Sequence, residues 1–128
     1  MSYHFTTTLS MPFNEAIEKV TAALQESGFG VLTTIDVKAT LKKKIDADFH
    51  PYTILGACNP HFAYKALQSE DKIGAMLPCN VVVQQKDGGE VEVSAVDPMA
   101  SMQAIENPAL GEIAAEVQGL LKGVIAGL

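Results

Sequence analysis

The pattern of hydrophobic and polar residues predicts three β-strands in the first half of the chain. Residues 3–9 alternate strictly, so one face of the first strand is apolar and the other is polar. β-Branched residues over 30–37 predict a second strand. Pro51 opens a third strand, because proline is tolerated at a strand's start. One face of that strand carries Tyr52, Ile54, Gly56 and Cys58.

Two further strands follow in the second half and are predicted to form a hairpin. Valines dominate residues 81–85, and apolar residues alternate with polar ones over 90–96. The connection Lys86-Asp87-Gly88-Gly89 contains Asp-Gly, which takes the positive φ angles of a type I′ turn. Each strand should therefore turn alternate side chains toward the core.

Apolar residues spaced three to four positions apart predict two helices before the third strand. The first begins at Pro12, with Ser10 or Met11 as its cap, and stops at Gly28. The second covers residues 37–45 and presents its lysines to water.

Asparagine followed by proline starts two more helices, since asparagine caps a helix and proline fits its first turn. Asn59-Pro60 begins a helix that follows the third strand directly, and its inward-facing residues are Ala63, Ala66 and Leu67. Asn107-Pro108 begins the last helix, whose apolar stripe contains Leu110, Ile113, Val117, Leu120 or Leu121, Val124 and Leu128.

The order of these elements is β-α-β-α-β-α-β-β-α. It predicts an α+β fold in two layers, with a five-stranded, mainly antiparallel sheet and helices packed on one face. Residues 1–128 should form a single domain. The second face of the sheet then lacks cover, so we expect a homodimer that closes over it or over an exposed apolar patch.

Composition and charge argue against two classes of binding partner, nucleic acids and membranes. The net charge of −6 argues against nucleic acid, which is bound by clustered Lys and Arg. We expect the one basic run, residues 42–44, to be a solvated surface and not a patch for phosphate or an acidic partner, and we expect Asp36 to form a weak surface ion pair beside it. No apolar run approaches the roughly 20 residues that span a bilayer, and the first ten residues do not resemble a signal peptide. We therefore expect a cytoplasmic protein with reduced thiols and no membrane partner.

The chain's two cysteines mark the predicted site. Each is followed by asparagine, as Cys58-Asn59 and Cys79-Asn80, and both lie at strand ends. Cys58 also precedes a helix start, where free N–H groups would lower the pKa of its thiol. These four residues and His61 would line a site for a small anion, a thiol compound or a soft metal. Alternatively, Cys58 attacks and Cys79 resolves in a thiol-dependent redox or sulfur-transfer enzyme, or both thiols are buried and purely structural.

Two weaker sets of ligand candidates complete the inventory. Cys58-x-x-His61 places both side chains within one helical turn and Cys79 would add a third ligand, but a closed zinc site takes four. Met99 and Met102, before the last helix, are expected to fill gaps in the core or to line a pliable apolar surface. No phosphate-binding, dinucleotide-binding, zinc-protease or hydrolase motif is present in the sequence, so we predict no cofactor.

The motifs GACNP and LPCN, together with VEVSAVDP, resemble the domain of unknown function 302 family of bacteria and archaea. The resemblance extends over nearly the whole chain. It implies a fold similar to the TATA-binding-protein class, usually seen as a dimer, and it implies no assigned activity. That likeness concerns fold alone, and the acidic charge argues against DNA binding. The family's characteristic residues fall on Gly56, Cys58, Asn59, Pro60, Leu77, Pro78, Cys79, Asn80, Asp97 and Pro98.

Overall fold

Five strands form one antiparallel sheet in the computed structural model, which describes residues 2–128. The strands are β1 (His4–Leu9), β2 (Gly30–Asp36), β3 (Tyr52–Cys58), β4 (Cys79–Gln85) and β5 (Val91–Val96). Their order across the sheet is β1-β5-β4-β3-β2, so β1 and β2 are the edges. Every neighbouring pair is antiparallel, which confirms the predicted α+β class.

The helices are α1 (Phe13–Glu26), α2 (Val37–Ile45), α3 (Pro60–Ser69), α4 (Pro98–Ser101) and α5 (Pro108–Ala126). A short 3₁₀ helix covers Ile73–Met76. It and α4 were not predicted, because a single turn is too short to show helical periodicity. None of the helices within residues 2–128 is both long enough and apolar enough to cross a bilayer.

The main core lies between one face of the sheet and helices α1 and α5. Alternate residues of β4 and β5 supply its floor, namely Val81, Val83, Val91, Val93 and Ala95. Helix α1 contributes Ala16, Val20 and Leu24, and α5 contributes Val117, Leu121, Val124 and Ile125. The stripe of α5 thus runs through buried Leu121, and Leu120 is partly buried against the same core. Leu67 of α3 was predicted to face the core, but it is 45% exposed.

The start of α1 differs from the prediction. Pro12 itself occupies the cap position, and its carbonyl accepts a hydrogen bond from the backbone N–H of Ala16 at 3.0 Å. Neither Ser10 nor Met11 caps the helix. Gly28 ends the α1 region with a φ of 87°, a conformation that favours glycine, as predicted.

Asp36 also has a different role from the one predicted. Its carboxylate caps α2 and accepts a hydrogen bond from the backbone N–H of Ala39 at 2.9 Å. Lys42 pairs with Asp46 and Asp48 instead, at 2.9 and 3.2 Å. The cap satisfies an otherwise unpaired helical N–H, which the surface ion pair would not.

The β4–β5 hairpin has the predicted position but not the predicted turn type. The carbonyl of Lys86 accepts from Gly89 N–H, and Lys86 N–H donates to the carbonyl of Glu90, both at 2.9 Å. A positive φ, 89°, occurs at Gly89 and at neither Asp87 nor Gly88. These features define a type I turn followed by a glycine bulge, since the loop has three residues.

The sheet face opposite the core is called the outer face here. It carries polar and apolar side chains together, among them Thr6, Tyr52, Ile54, Val82, Gln84, Glu92 and Ser94. Within residues 2–128 no helix forms a layer over it. Helix α2 lies beside β2 and β3 and buries none of its side chains. Edge strand β2 is exposed, and a bulge interrupts its pairing with β3 between Val31 and Thr33.

Candidate functional site

The junction between β3 and α3 holds the first predicted site residues. Cys58 ends β3, Asn59 follows as the helix cap, and Pro60 occupies the first turn. The Asn59 side-chain oxygen accepts hydrogen bonds from the backbone N–H groups of His61 and Phe62, at 3.1 and 3.3 Å. The predicted cap is therefore confirmed, and it occupies the donors nearest to Cys58.

The start of β4 brings Cys79 beside this junction. Cys79 pairs with Ala57 across the sheet, so Cys58 lies one residue beyond that pair. Gly56 makes the approach possible: an added Cβ would lie 2.8 Å from Cγ of Pro78 and would clash with Oγ1 of Thr33. This agrees with the close approach predicted for a glycine inside the strand.

A small apolar cavity lies beneath α3, α4 and α5 at this end of the sheet. Its volume is about 30 Å³, so it has room for only about two molecules the size of water. Three of the residues that line it contain sulfur, and we call it the sulfur-lined cavity: Cys58, Cys79 and Met102. The other main lining residues are apolar, among them Phe29, Phe62, Leu77, Pro98 and Ile113.

The two cysteines differ in their access to solvent. Cys79 is only 9% exposed and belongs to the main core. Cys58 is half-buried and also lines an open surface groove beside Gly28 and Leu32. Both are free thiols. Cys58 therefore stands between the groove and the cavity, and Cys79 lies inside.

Burial controls the protonation of both thiols. It raises the pKa of the Cys79 thiol to about 11, and repulsion from Cys58 contributes to this shift. Burial also raises the pKa of the Cys58 thiol, so the predicted lowering is wrong. The N–H groups at the start of α3 do not lower this pKa, because they already donate hydrogen bonds to the Asn59 side chain. Near neutral pH both sulfurs are protonated.

No ionisable side chain other than these thiols lines the sulfur-lined cavity within residues 2–128. Asp97 lies next to the cavity residue Pro98, but its carboxylate caps α4 through the N–H of Met99 at 2.9 Å. The same carboxylate accepts hydrogen bonds from the Gln118 side chain at 3.1 and 3.2 Å. It is therefore already committed to holding α4 against α5.

The structure separates the remaining predicted site residues. His61 is exposed on α3 and does not line the cavity, so the Cys-x-x-His pair is not assembled there. Asn80 is exposed on the outer face and lines a different cavity. Met102 was predicted as a core or surface residue, and only the packing of α4 and α5 brings it to the cysteines.

The fold and the cavity define an acidic α+β protein with a thiol- and thioether-lined cavity at one end of its sheet. The chain belongs to the DUF302 family, described as a domain of unknown function, whose profile matches residues 5–128. It is similar to the crystal structure of an uncharacterized conserved DUF302 protein from Bacillus stearothermophilus. The two share 34% identity over 98% of each chain, with a TM-score of 0.90. Among curated proteins, no match to this sequence was found.

Proposed function

We propose that this protein is a small-ligand-binding or sensing module, and that the sulfur-lined cavity binds a soft monovalent metal ion such as Cu(I). The observation that carries the proposal is the placement of Cys58, Cys79 and Met102 around one apolar cavity. Thiolate and thioether sulfurs are the ligands that favour Cu(I) over harder ions. The cavity's size also suits a single ion with little or no water.

The other two ligand classes predicted for this site have less support. An anion needs unpaired N–H donors or a positive charge, but Asn59 occupies the N–H groups of His61 and Phe62. A thiol compound needs more room than a volume of about 30 Å³ provides. A bare ion meets neither difficulty, because it binds by displacing thiol protons.

A thiol-dependent enzyme is also less well supported. The nucleophile in such chemistry is the thiolate, and burial raises the pKa of both thiols instead of lowering it. A general base beside Cys58 would compensate, but no ionisable side chain besides the two cysteines lines the cavity within residues 2–128.

The proposal is tested by competition between the reduced protein and bicinchoninate for Cu(I) under anaerobic conditions. We expect one high-affinity Cu(I) per chain. Cys58→Ser and Cys79→Ser should each weaken binding by more than roughly 100-fold, the most that indirect changes around a metal site usually cause. Met102→Leu should weaken it roughly tenfold, or about 1.4 kcal/mol. Met99→Leu is the matched control, because Met99 is exposed and lies outside the cavity lining.

Two results would count against this function. If the Cys58→Ser/Cys79→Ser double variant bound Cu(I) as tightly as the parent, the cavity would not be the site. If the folded parent bound no Cu(I) and both thiols resisted alkylation, the third prediction, a purely structural module with inert thiols, would take its place.

We also propose that the protein is a homodimer that pairs two copies of edge strand β2. The support is an unpaired strand edge on which two apolar residues, Leu32 at 68% exposure and Ile35, are exposed among polar ones. Antiparallel pairing of two identical edges is self-complementary, as a two-fold interface requires. Light scattering should give twice the chain mass. Leu32→Asp should shift it to the monomer, and Tyr64→Asp, at a site of similar exposure on α3, should not.

The family resemblance supports three further proposals. The fold belongs with the TATA-binding-protein class, residues 1–128 act as one domain, and the protein works in the cytoplasm of a bacterium or archaeon. The net charge of −6 argues against a nucleic-acid partner whatever the fold class. A gel-shift assay with duplex DNA at low salt should accordingly show no binding.

A further inference from the structure

A second cavity lies on the outer face of the sheet, and its lining includes neither cysteine and no residue of edge strand β2. Its volume is about 310 Å³, within the range of small-molecule sites. Strands β3, β4 and β5, together with the start of β1, supply its lining. We call it the outer-face cavity, and its side chains include Tyr3, His4, Tyr52, Asn80, Glu92 and Ser94.

Glu92 is the one carboxylate that lines the outer-face cavity within residues 2–128. Its side chain is 29% exposed, so its charge is partly withdrawn from water. The amide of Gln84 donates to Oε1 of Glu92 at 3.4 Å, and Nζ of Lys86 approaches the same oxygen at 3.9 Å. Both contacts use Oε1, which leaves Oε2 available to a ligand.

Gln84 and His50 together fix the orientation of the Glu92 carboxylate. Oε1 of Gln84 accepts a hydrogen bond from Nε2 of His50 at 2.9 Å, so the Gln84 amide nitrogen is turned toward Glu92. His50 in turn packs against the ring of Tyr52, with 6.0 Å between ring centroids. Glu92 is therefore held in place by Gln84, which lies between Glu92 and Tyr52 in the same cross-strand row.

From this arrangement we infer that the outer-face cavity binds a small organic cation, an amine carried on an apolar or aromatic body. Glu92 supplies the counter-charge, and Tyr52 supplies an aromatic ring in the same cross-strand row, with Gln84 between them. The chain's net charge of −6 also raises the local concentration of cations over that of anions.

Two neighbouring basic side chains act against the binding of a cation at this site. Lys86 competes for Glu92, but its separation of 3.9 Å and its own exposure make that ion pair weak. His4 lines the cavity and is held by a contact with Thr6. A second protein copy that covered the outer face would also close the cavity, and this possibility is separated from ligand binding by the test below.

The test uses three probes of nearly equal size: benzylamine, neutral benzyl alcohol and anionic benzoate. They are titrated into the ¹⁵N-labelled protein and followed by amide chemical shifts. Benzylamine should cause saturable shifts at Tyr52, Gln84 and Ser94, and the other two probes should not. Glu92→Gln should weaken benzylamine roughly tenfold or more, as expected for loss of a charged hydrogen-bond partner. Glu90→Gln, which removes the same charge outside the cavity, should leave it unchanged.

Several outcomes would overturn the inference. Equal shifts from benzylamine and benzyl alcohol would show an apolar patch without charge selection. Shifts confined to another surface would place the amine elsewhere than proposed. If light scattering showed a dimer and no shifts occurred on the outer face, a second copy would lie elsewhere than proposed. Unchanged affinity in Glu92→Gln, whose spectrum otherwise matches the parent, would remove Glu92 as the counter-charge.

Discussion

Gly56 lies at the closest approach between β3 and its surroundings. An added Cβ would meet Oγ1 of Thr33 on β2 and Cγ of Pro78 before β4. Neither neighbour is the far end of a long flexible side chain, so both strands would have to move. We predict that Gly56→Ala lowers the free energy of unfolding by about 1–3 kcal/mol, measured by urea denaturation.

Gly119→Ala is the matched control for this substitution. Gly119 lies on the exposed side of α5, and nothing approaches within 4 Å of the Cβ position. Alanine there should stabilise the protein by up to about 1 kcal/mol, because glycine disfavours a helix interior. If both substitutions had the same effect, the crowding around Gly56 would not be energetically important.

Cys79 makes the stability of the protein depend on pH. Its pKa of about 11 in the folded state exceeds its ordinary value of 9.0, so the folded protein holds this proton more tightly than the unfolded chain. The contribution of this thiol to the free energy of unfolding is fully present below pH 9 and is lost as pH rises to about 11. Two units correspond to about 2–3 kcal/mol.

Urea denaturation at several pH values between 8 and 11 would measure this effect. The parent should lose up to about 2–3 kcal/mol more than Cys79→Ala over that interval, since the variant lacks the thiol. Other groups that titrate in the same range, such as the lysines, are common to both proteins. Parallel pH curves for the two proteins would mean that Cys79 is not desolvated.

The cap of α3 connects an element of the fold to the chemistry of the site. Asn59→Ala would free the N–H groups of His61 and Phe62 and should cost about 1 kcal/mol of stability. Freed donors at a helix start stabilise a nearby thiolate, so the pKa of Cys58 should fall. Iodoacetamide alkylation at fixed pH should then be faster at Cys58 than in the parent.

Asn107→Ala provides the control for this experiment. Asn107 caps α5 through the N–H of Ala109 in the same way, but it does not line the sulfur-lined cavity. Its loss should destabilise the protein by a similar amount without changing the alkylation rate of Cys58. Equal acceleration in both variants would indicate general loosening and not a specific effect of the cap.

Elements with clear local signals were predictable from the sequence. Period-two alternation, runs of β-branched residues and the proline before β3 located all five strands, and the two Asn-Pro pairs located the starts of α3 and α5. Features that depend on one-residue details were not predictable. The positive φ at Gly89, the bulge before Thr33 and the single-turn helix α4 each involve too few residues to leave a periodic pattern.

The candidate site was predictable only in part, because it is assembled by the whole molecule. Strand ends and the shared Cys-Asn pattern pointed to Cys58 and Cys79, which line one cavity. The sequence did not indicate Met102 as their neighbour, since its position depends on how α4 packs on α5. Nor did it separate Asn80 from Cys79, although adjacent strand residues face opposite sides of a sheet. The alternation of side chains along β4 was therefore the feature of the sequence that could have separated the two residues.

At the scale of the whole molecule, the two cavities have different roles. The sulfur-lined cavity excludes charge and holds two protonated thiols, and the outer-face cavity presents one carboxylate, Glu92, in the same cross-strand row as Tyr52. Cu(I) binding at the first cavity must release thiol protons, whereas amine binding at the second need not. The two proposals can therefore be tested independently in the same protein.

The most direct test of the central claim is anaerobic competition for Cu(I) at pH 7 and pH 8. Both thiols are protonated at either pH, so displacing two protons should tighten apparent affinity by roughly 100-fold across that unit. Cys79→Ser should reduce the gain to roughly tenfold, and Met102→Leu should preserve it. A parent affinity that did not change with pH, or a double-serine variant that still bound Cu(I) as tightly, would contradict the claim.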